Sequence, residues 1–344
     1  MVVSSYGKDM GESRPGYEFD EFTQAFLVFQ QNNLLVDVAS PKGGEVKPDK
    51  FNKEKAYNKA VMEDSRIMGL LENTISTSSV NPAEYDAIYI VGGKGAMFDL
   101  PYDPSLQDII LNLYQREGTV ISSVCHGPAS LVNVKDGDNF IIKDIEITAF
   151  SNIEEELFGK KWVQEFPFKV EDKLKSRGAI FSQAGFMLSN VSVSGKFITG
   201  QNPFSTSRSA EEVVKALGIK PAERTFYSDE KSIYLIQDIL DDKMALSDAR
   251  KELEQNERSY DIELIAVYGF YKMLAAKDNS NELSKGVEIV EITRPFFFNE
   301  NLQFALAKSH LSLGNKQRAR EILDELNTKG LLKEKVNELM EQVN

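Results

Sequence analysis

Hydrophobic and polar positions follow two alternating patterns up to about residue 217. Short β-branched and apolar runs are typical of buried strands, and apolar residues recurring every three or four positions are typical of amphipathic helices. The predicted strands are 2–4, 34–39, 87–91, 119–124 and 145–150, with a hairpin at 191–194 and 196–199. The predicted helices are 17–32, 55–71, 104–116, 126–132, 168–177 and 203–217. This alternation predicts an α/β sandwich with a mostly parallel sheet.

A different pattern begins after Leu217. Gly218 and Pro221 stop the preceding helix, and from Asp229 onward the sequence is almost wholly helical in pattern. We therefore predict two domains, a catalytic-type α/β domain over residues 1–222 and an all-α domain over residues 223–344.

The second domain contains a weak internal repeat. Leu313-Gly314-Asn315, followed by Ala319 and Leu323, resembles the turn and second helix of a tetratricopeptide-type hairpin. Ala249 and Leu253 stand 70 residues earlier, at twice a 35-residue period, whereas the half-way residues Ser284 and Glu288 fit poorly. Both a degenerate array of helical hairpins and a plain helical bundle agree with this pattern. The lone His310 is expected to be a packing or surface residue.

Charge and composition exclude several classes of partner. With 40 basic and 53 acidic residues the net charge is −13, which repels phosphate backbones and anionic lipid surfaces, so we expect neither nucleic acid nor membrane as a partner. No apolar run of about 20 residues and no signal-like start is present, so a cytoplasmic location is expected, or a periplasmic one if a signal sequence lies upstream. The single cysteine excludes an internal disulfide, and a zinc pattern is absent, so we expect no metal.

The candidate nucleophile is that cysteine, Cys125. It follows the predicted strand 119–124 and precedes Gly127-Pro128-Ala129, which places it in a tight elbow at the carboxyl end of the sheet. The dipole of the following helix is expected to favour the thiolate. His126 is adjacent, but sequence neighbours do not normally face each other, so we expect its ring to point away from the sulfur into the same cleft. The alternative is that Cys125 is a small buried hydrophobe and His126 a polar residue at a helix start.

A second candidate site follows the strand 87–91. Gly92, Gly93 and Lys94 belong to a Gly-Gly-Lys-Gly turn whose backbone amides can approach a ligand and stabilise an oxyanion. The spacing fits neither a dinucleotide fingerprint nor a phosphate loop. Taken alone, the motif is equally that of a structural turn.

The segment Ser-Val-Cys-His-Gly-Pro-Ala, preceded by Ile-Val-Gly-Gly-Lys-Gly-Ala-Met-Phe-Asp-Leu-Pro, resembles the ThiJ/PfpI superfamily, which is related in fold to class I glutamine amidotransferases. The resemblance implies a flavodoxin-like three-layer sandwich over about residues 1–217. It also implies that Glu21 on the first helix hydrogen-bonds the reactive sulfur and that Glu155 completes a Cys-His-acid triad, with Glu154 and Glu156 as rivals. Lys94 departs from the His common in this branch, which leaves substrate choice open.

The most similar branch contains glutathione-independent glyoxalases (glyoxalase III, or D-lactate dehydratase) and stress chaperones. The resemblance therefore implies a cofactor-independent lyase that converts methylglyoxal-type 2-oxoaldehydes through a Cys125 hemithioacetal, with His126 as acid and base. The alternatives are a stress-protective chaperone or redox-sensing binding protein, and another cysteine-dependent hydrolase (deglycase, peptidase or amidase). A small aldehyde substrate, a protein partner for the helical domain and a homodimer are the expected associations.

Overall fold

The computed structural model describes residues 1–343, except for the side chain of Lys160. The chain divides into two compact units, of which the first is Met1–Arg224 and the second begins at Thr225. Each unit contains its own cluster of buried apolar side chains. Among the described residues, none of the helices combines the length and apolarity that crossing a membrane requires.

The first unit is built on a mostly parallel sheet. Its strands are β1 Ala39–Ser40, β2 Ile75–Ser76, β3 Ala87–Ile90, β4 Val120–Val124, β5 Lys135–Asp136, β6 Asn139–Phe140, β7 Glu146–Ile147, β8 Ile180–Phe181, β9 Val191–Ser194 and β10 Phe197–Gly200. In the order β3-β4-β10-β9, the first three strands are parallel and β9 is antiparallel to β10. Bridges from Val2 to Ala39 and Ile90 join this sheet to the parallel pair β1-β2. The carboxyl ends of β3, β4 and β10 therefore meet at one edge.

Helices cover the sheet. They are α1 Phe19–Gln31, α2 Ala56–Glu63, α3 Ser65–Glu72, α4 Ala96–Asp99, α5 Pro104–Gln115, α6 Asn152–Phe158, α7 Val170–Ser176 and α8 Thr206–Ala216. Helices α1 and α8 pack against each other, and α8 also packs on β4 and β10, whereas α5 packs on β3 and β4. The predicted flavodoxin-like α/β sandwich with a mostly parallel sheet is thus confirmed.

Two predicted helices differ in the structure. The segment predicted as one helix over 55–71 is two helices, because the Asp64 side chain accepts hydrogen bonds from the backbone N–H groups of Arg66 and Ile67 and so caps a new helix. The segment predicted as a helix over 126–132 is a five-residue 3₁₀ turn, Gly127–Leu131, with Pro128 in its first turn. A turn this short has a much smaller dipole than a full helix.

Three predicted strands are shorter than expected. Residues 2–4 form only the bridges made by Val2, and only Glu146–Ile147 of 145–150 is a strand. Of 34–39, only Ala39 lies in a strand, since the chain leaves α1 through Asn33 at φ 59° and runs along the surface, where Leu35 is fully exposed. Apolar residues in this last segment therefore do not mark a buried strand.

The second unit is entirely helical. Its helices are α9 Ser228–Leu240, α10 Leu246–Asn256, α11 Ile262–Ala275, α12 Ser280–Thr293, α13 Glu300–Ser312, α14 Lys316–Thr328 and α15 Lys333–Val343. The odd-numbered helices α9, α11 and α13 begin 34 and then 38 residues apart, close to the period predicted for hairpins. In the middle hairpin, close contact between α11 and α12 involves Gly269 and Gly286, two small residues that lie outside the poorly fitting half-way positions Ser284 and Glu288.

Candidate active site

Cys125 lies directly after β4 in a strained backbone conformation. Its φ is +60°, a left-handed value that is unusual for a residue with a side chain. The Cys125 N–H donates to the Gly200 carbonyl at 2.9 Å, and the Cys125 carbonyl accepts from the Phe150 N–H at 2.9 Å. These two bonds fix the elbow from both sides, and the thiol is buried. Strain held in this way is characteristic of functional elbows.

The backbone turn at Cys125 places the His126 ring beside the sulfur. Its Nδ1 lies 3.3 Å from Cys125 Sγ, so the prediction that the ring points away from the sulfur is wrong. The left-handed φ at Cys125 breaks the regular alternation of side chains, and neighbouring side chains therefore reach the same side. The other ring nitrogen, Nε2, lies 2.7 Å from Glu155 Oε1. Packing of the ring against Phe150 and Phe166, at centroid distances of 4.7 and 5.7 Å, holds this orientation.

Three consecutive carboxylates of α6 take three different positions. The Glu155 side chain is buried and is the one that contacts His126. Glu154 is also buried, but its oxygens accept hydrogen bonds from other segments of the unit. Glu156 is exposed. Of the three candidates that the sequence left open, Glu155 is therefore the residue that the geometry joins to the imidazole.

Glu21 approaches the sulfur from α1. Its Oε2 accepts a hydrogen bond from the Gly92 N–H at 2.7 Å, whereas its buried Oε1 has no hydrogen-bond partner among the described residues. Burial, with the nearby charge of Glu18, raises the pKa of Glu21 well above its usual value, so the carboxyl group favours its protonated form. Glu21 therefore lies beside the elbow, as the resemblance implies, and its hydrogen bond to the reactive sulfur stays a prediction.

The Gly92–Gly93 turn packs tightly on the chain entering α1. The Gly92 carbonyl accepts from the Glu18 N–H at 3.2 Å, and the Gly95 N–H donates to the Gly16 carbonyl at 2.8 Å. A Cβ on Gly92 would lie 2.8 Å from the backbone nitrogen of His126, which shows that the turn packs against the elbow. Within residues 1–343, neither the Gly93 N–H nor the His126 N–H donates to a protein acceptor. Both are free to bind a developing oxyanion.

Electrostatics at the thiol differ from the expectation based on a helix dipole. Burial raises the pKa of Cys125 well above its usual value, and a negative charge on Glu21 or Glu18 adds to this shift when either group is ionised. The prediction of a lowered thiol pKa is therefore wrong for the resting site, because the 3₁₀ turn is too short to offset burial among carboxyl groups. Lys94 acts in the opposite direction, since its positive charge favours the thiolate.

Sequence reasoning missed Glu18. This residue occupies the N-cap position of α1, three positions before Glu21, and makes no capping hydrogen bond with its side chain. Burial together with the Asp20 charge raises its pKa to about 8. The signal was present, because positions three apart share a helix face. Sequence reasoning also missed an aromatic wall, in which Tyr6 stacks on Phe98 at 4.6 Å and Phe98 contacts Phe166 at 5.7 Å. Phe166 in turn contacts the His126 ring.

The described residues include no cluster of three or more His, Cys, Asp or Glu side chains suited to holding a metal ion. What the site does contain is a thiol, an imidazole in hydrogen-bonding contact with it and a carboxylate in contact with that imidazole, beside unpaired backbone amides. This arrangement suits covalent attack on a carbonyl group.

Comparison with known proteins agrees with this geometry. Residues 13–216 match the DJ-1/PfpI family. The chain belongs to that family. It is 31% identical to the Schizosaccharomyces pombe protein named glutathione-independent glyoxalase hsp3102, and 30% identical to Candida albicans glyoxalase 3. Each match covers 63% of this chain and 96% of the relative.

Solved structures of related proteins superpose on the same part of the chain. The Francisella tularensis Rapid Encystment Protein 24 kDa is 36% identical, with a TM-score of 0.59 over 63% of this chain and 97% of that one. The crystal structure of Candida albicans glyoxalase III is 26% identical, with a TM-score of 0.58 over 62% and 95% of the two chains. The family match ends before Thr225, so it concerns the first unit.

Proposed function

We propose that this protein is a cofactor-independent enzyme of the glyoxalase III type, which converts a 2-oxoaldehyde such as methylglyoxal to the corresponding 2-hydroxy acid. The observation that carries the proposal is the hydrogen-bonded chain from Cys125 Sγ through His126 to Glu155, at 3.3 and 2.7 Å. The names of the Schizosaccharomyces pombe and Candida albicans relatives support the same reaction.

The first chemical step uses the resting thiol. His126 donates its Nε2–H to Glu155, which leaves the Nδ1 lone pair facing the sulfur. Nδ1 takes the thiol proton as the sulfur attacks the aldehyde carbon, and the imidazolium that forms is stabilised by the Glu155 carboxylate. A base is needed because burial raises the pKa of Cys125.

The next steps move protons within the adduct. The alkoxide that results from attack lies where the Gly93 and His126 amides can donate to it, and protonation gives the hemithioacetal. Removal of the proton from the former aldehyde carbon gives an enediolate, and protonation of the adjacent carbon gives a thioester of the 2-hydroxy acid. Water then hydrolyses this thioester and regenerates the thiol. The atoms balance with one water per substrate, and no oxidant is consumed.

We further propose a division of labour between the two domains. Residues 1–222 contain every group named in the reaction, whereas the helices between Ser228 and Val343 form successive hairpins, an arrangement that usually binds proteins and seldom contains catalytic groups. The helical domain would then bind a protein partner or a second copy of the chain.

The experiment is to incubate purified protein with methylglyoxal, without glutathione, and to measure D- and L-lactate with stereospecific assays. The wild-type protein should form D-lactate, and Cys125→Ser should form none. Glu155→Gln should lower kcat by about 10²–10⁴, as expected for a disabled acid–base group. Glu156→Gln, on the same helix but exposed, is the matched control and should be unchanged. Absence of lactate with the wild-type protein, or equal small effects at the two glutamates, would contradict the proposal.

A further inference from the structure

Glu154 is a buried carboxylate that the reaction does not use. It is 0% exposed and stands next to Glu155 in α6. Its two oxygens accept five hydrogen bonds: Oε2 from the Ser151 N–H at 2.8 Å and Ser151 Oγ at 2.9 Å, and Oε1 from the Met187 N–H at 2.7 Å, Gln201 Nε2 at 3.0 Å and Asn202 Nδ2 at 2.9 Å. A capping box would need only the bonds to Ser151.

The remaining donors come from segments that are distant in the sequence. Met187 lies in the loop before β9, and Gln201 and Asn202 lie in the turn that follows β10. This turn adjoins the catalytic elbow, because the Gly200 carbonyl accepts the Cys125 N–H at 2.9 Å. Glu154 therefore ties the helix that carries Glu155 to the strand end that holds the nucleophile.

The first turn of α6 has a second tie to the elbow. The Phe150 N–H donates to the Cys125 carbonyl at 2.9 Å, and Ser151, which follows Phe150, caps the helix. With Phe150 fixed at one point and Glu154 at another, α6 can neither rotate nor slide relative to Cys125. The Glu155 carboxylate is thereby kept 2.7 Å from His126 Nε2.

We propose that Glu154 is a positioning residue of the triad, which fixes α6 so that Glu155 holds His126 in the tautomer with Nδ1 facing the sulfur. Burial raises the pKa of Glu154, and its hydrogen bonds oppose that shift. The ionised form suits this task because it offers only acceptors, and all five partners are donors. A glutamine would present an NH₂ group to some of these donors, which leaves them unpaired and forces α6 to shift. The consequence for catalysis rests on the proposed function, whereas the effect on the His126 ring does not.

The test compares Glu154→Gln with Glu156→Gln, the exposed control on the same helix. The first measurement is kcat and KM for methylglyoxal. Because misplacement of a reacting group by about 1 Å costs on the order of 10²-fold, Glu154→Gln should lower kcat by about that factor and change KM little. The second measurement is ¹⁵N NMR of the histidine rings. The chain has two histidines, and His310 in the helical unit serves as an internal reference.

In the wild-type protein the His126 nitrogens should report one tautomer with the proton on Nε2. Glu154→Gln should give averaged tautomer shifts for His126 while His310 is unchanged, and Glu156→Gln should change neither ring. If Glu154→Gln does not fold, Gln201→Ala removes a single donor to Glu154 and should give a smaller change in the same direction. An unaltered His126 spectrum in the folded variants would overturn the positioning role, whether or not lactate is formed. Failure of the proposed function alone would appear as absence of lactate with the His126 effect retained.

Discussion

Gly93 provides the sharpest test of how the Gly92–Gly93 turn is built. Its φ is +89°, and a Cβ at this position would lie 2.4 Å from the Glu18 nitrogen and 2.6 Å from the Tyr17 carbonyl carbon. Both atoms are backbone, so they cannot rotate away. Gly118, in the turn before β4, is a matched control because its φ is +74° but no atom lies within 4 Å of a Cβ there.

The two positions separate the cost of conformation from the cost of contact. A residue with a side chain in left-handed backbone geometry costs about 1–2 kcal/mol, which applies to Gly93→Ala and Gly118→Ala alike. Overpacking against backbone adds about 1–3 kcal/mol at Gly93 alone. We therefore expect Gly118→Ala to lower the free energy of unfolding by about 1–2 kcal/mol and Gly93→Ala by about 2–5 kcal/mol.

The assay is urea unfolding followed by tryptophan fluorescence. Trp162 is the only tryptophan in the sequence and is buried in the first unit, so its signal reports that unit. With a urea slope of about 1–3 kcal/mol per molar, the unfolding midpoints of the two variants should differ by roughly 1 M. Gly93→Ala should also lose lactate formation, while Gly118→Ala keeps it. Equal midpoints would refute the close packing of the Gly93 turn on Tyr17 and Glu18.

Three further predictions follow from other parts of the molecule. The pKa of Glu18 is raised from 4.5 to about 8, so its contribution to the free energy of unfolding is fully present below about pH 4.5 and is lost as the pH rises to about 8. In Glu18→Gln, the urea midpoint measured by Trp162 fluorescence should therefore vary less with pH over that interval than it does in the wild-type protein. Lys196→Met should lower the free energy of unfolding by about 1–3 kcal/mol in the same assay, because the ammonium group donates to three carbonyls at the end of α5. Gly286→Val should lower the thermal midpoint of the helical signal in circular dichroism while the Trp162 midpoint is unchanged, since its Cβ would lie 2.8 Å from the Met273 nitrogen.

The sheet was predictable where its strands are buried on both faces. Val120–Val124 is wholly buried, and the predicted strand 119–124 gives its bounds to within one residue, although Ser122 and Ser123 interrupt its apolar pattern. The segment 34–39 is also apolar, but its first part runs over the surface, where Leu35 is fully exposed, and only Val38 and Ala39 are buried. Nothing in its pattern distinguishes the exposed apolar residue from the buried ones. Local composition predicts burial only on average. The break at Asp64 was readable, since an Asp followed by an amphipathic stretch is a common helix start.

The residues proposed to act in catalysis divide in a similar way. Cys125 could be predicted from its place between a strand and small residues, and Glu155 came from the resemblance to a family. The contact of His126 with the sulfur depends on a φ of +60° at Cys125, which no residue preference of cysteine indicates. Glu18 could be identified only from the structure, in which Glu18 and Glu21 lie on the face of α1 that is directed toward the Cys125 elbow. For both the His126 contact and Glu18, the missing information was the three-dimensional course of the backbone.

The resting state of the thiol links these observations. A full helix after Cys125 would stabilise a thiolate by its dipole, whereas Gly127–Leu131 is a short 3₁₀ turn and the sulfur is buried beside Glu21. Both effects favour a protonated thiol, which is a weak nucleophile until a base removes its proton. In the proposed mechanism that base is His126, whose Nδ1 the left-handed elbow brings to 3.3 Å from the sulfur. Under that proposal the backbone strain at Cys125 has a chemical role, because the same φ that costs stability places the proposed base beside the sulfur.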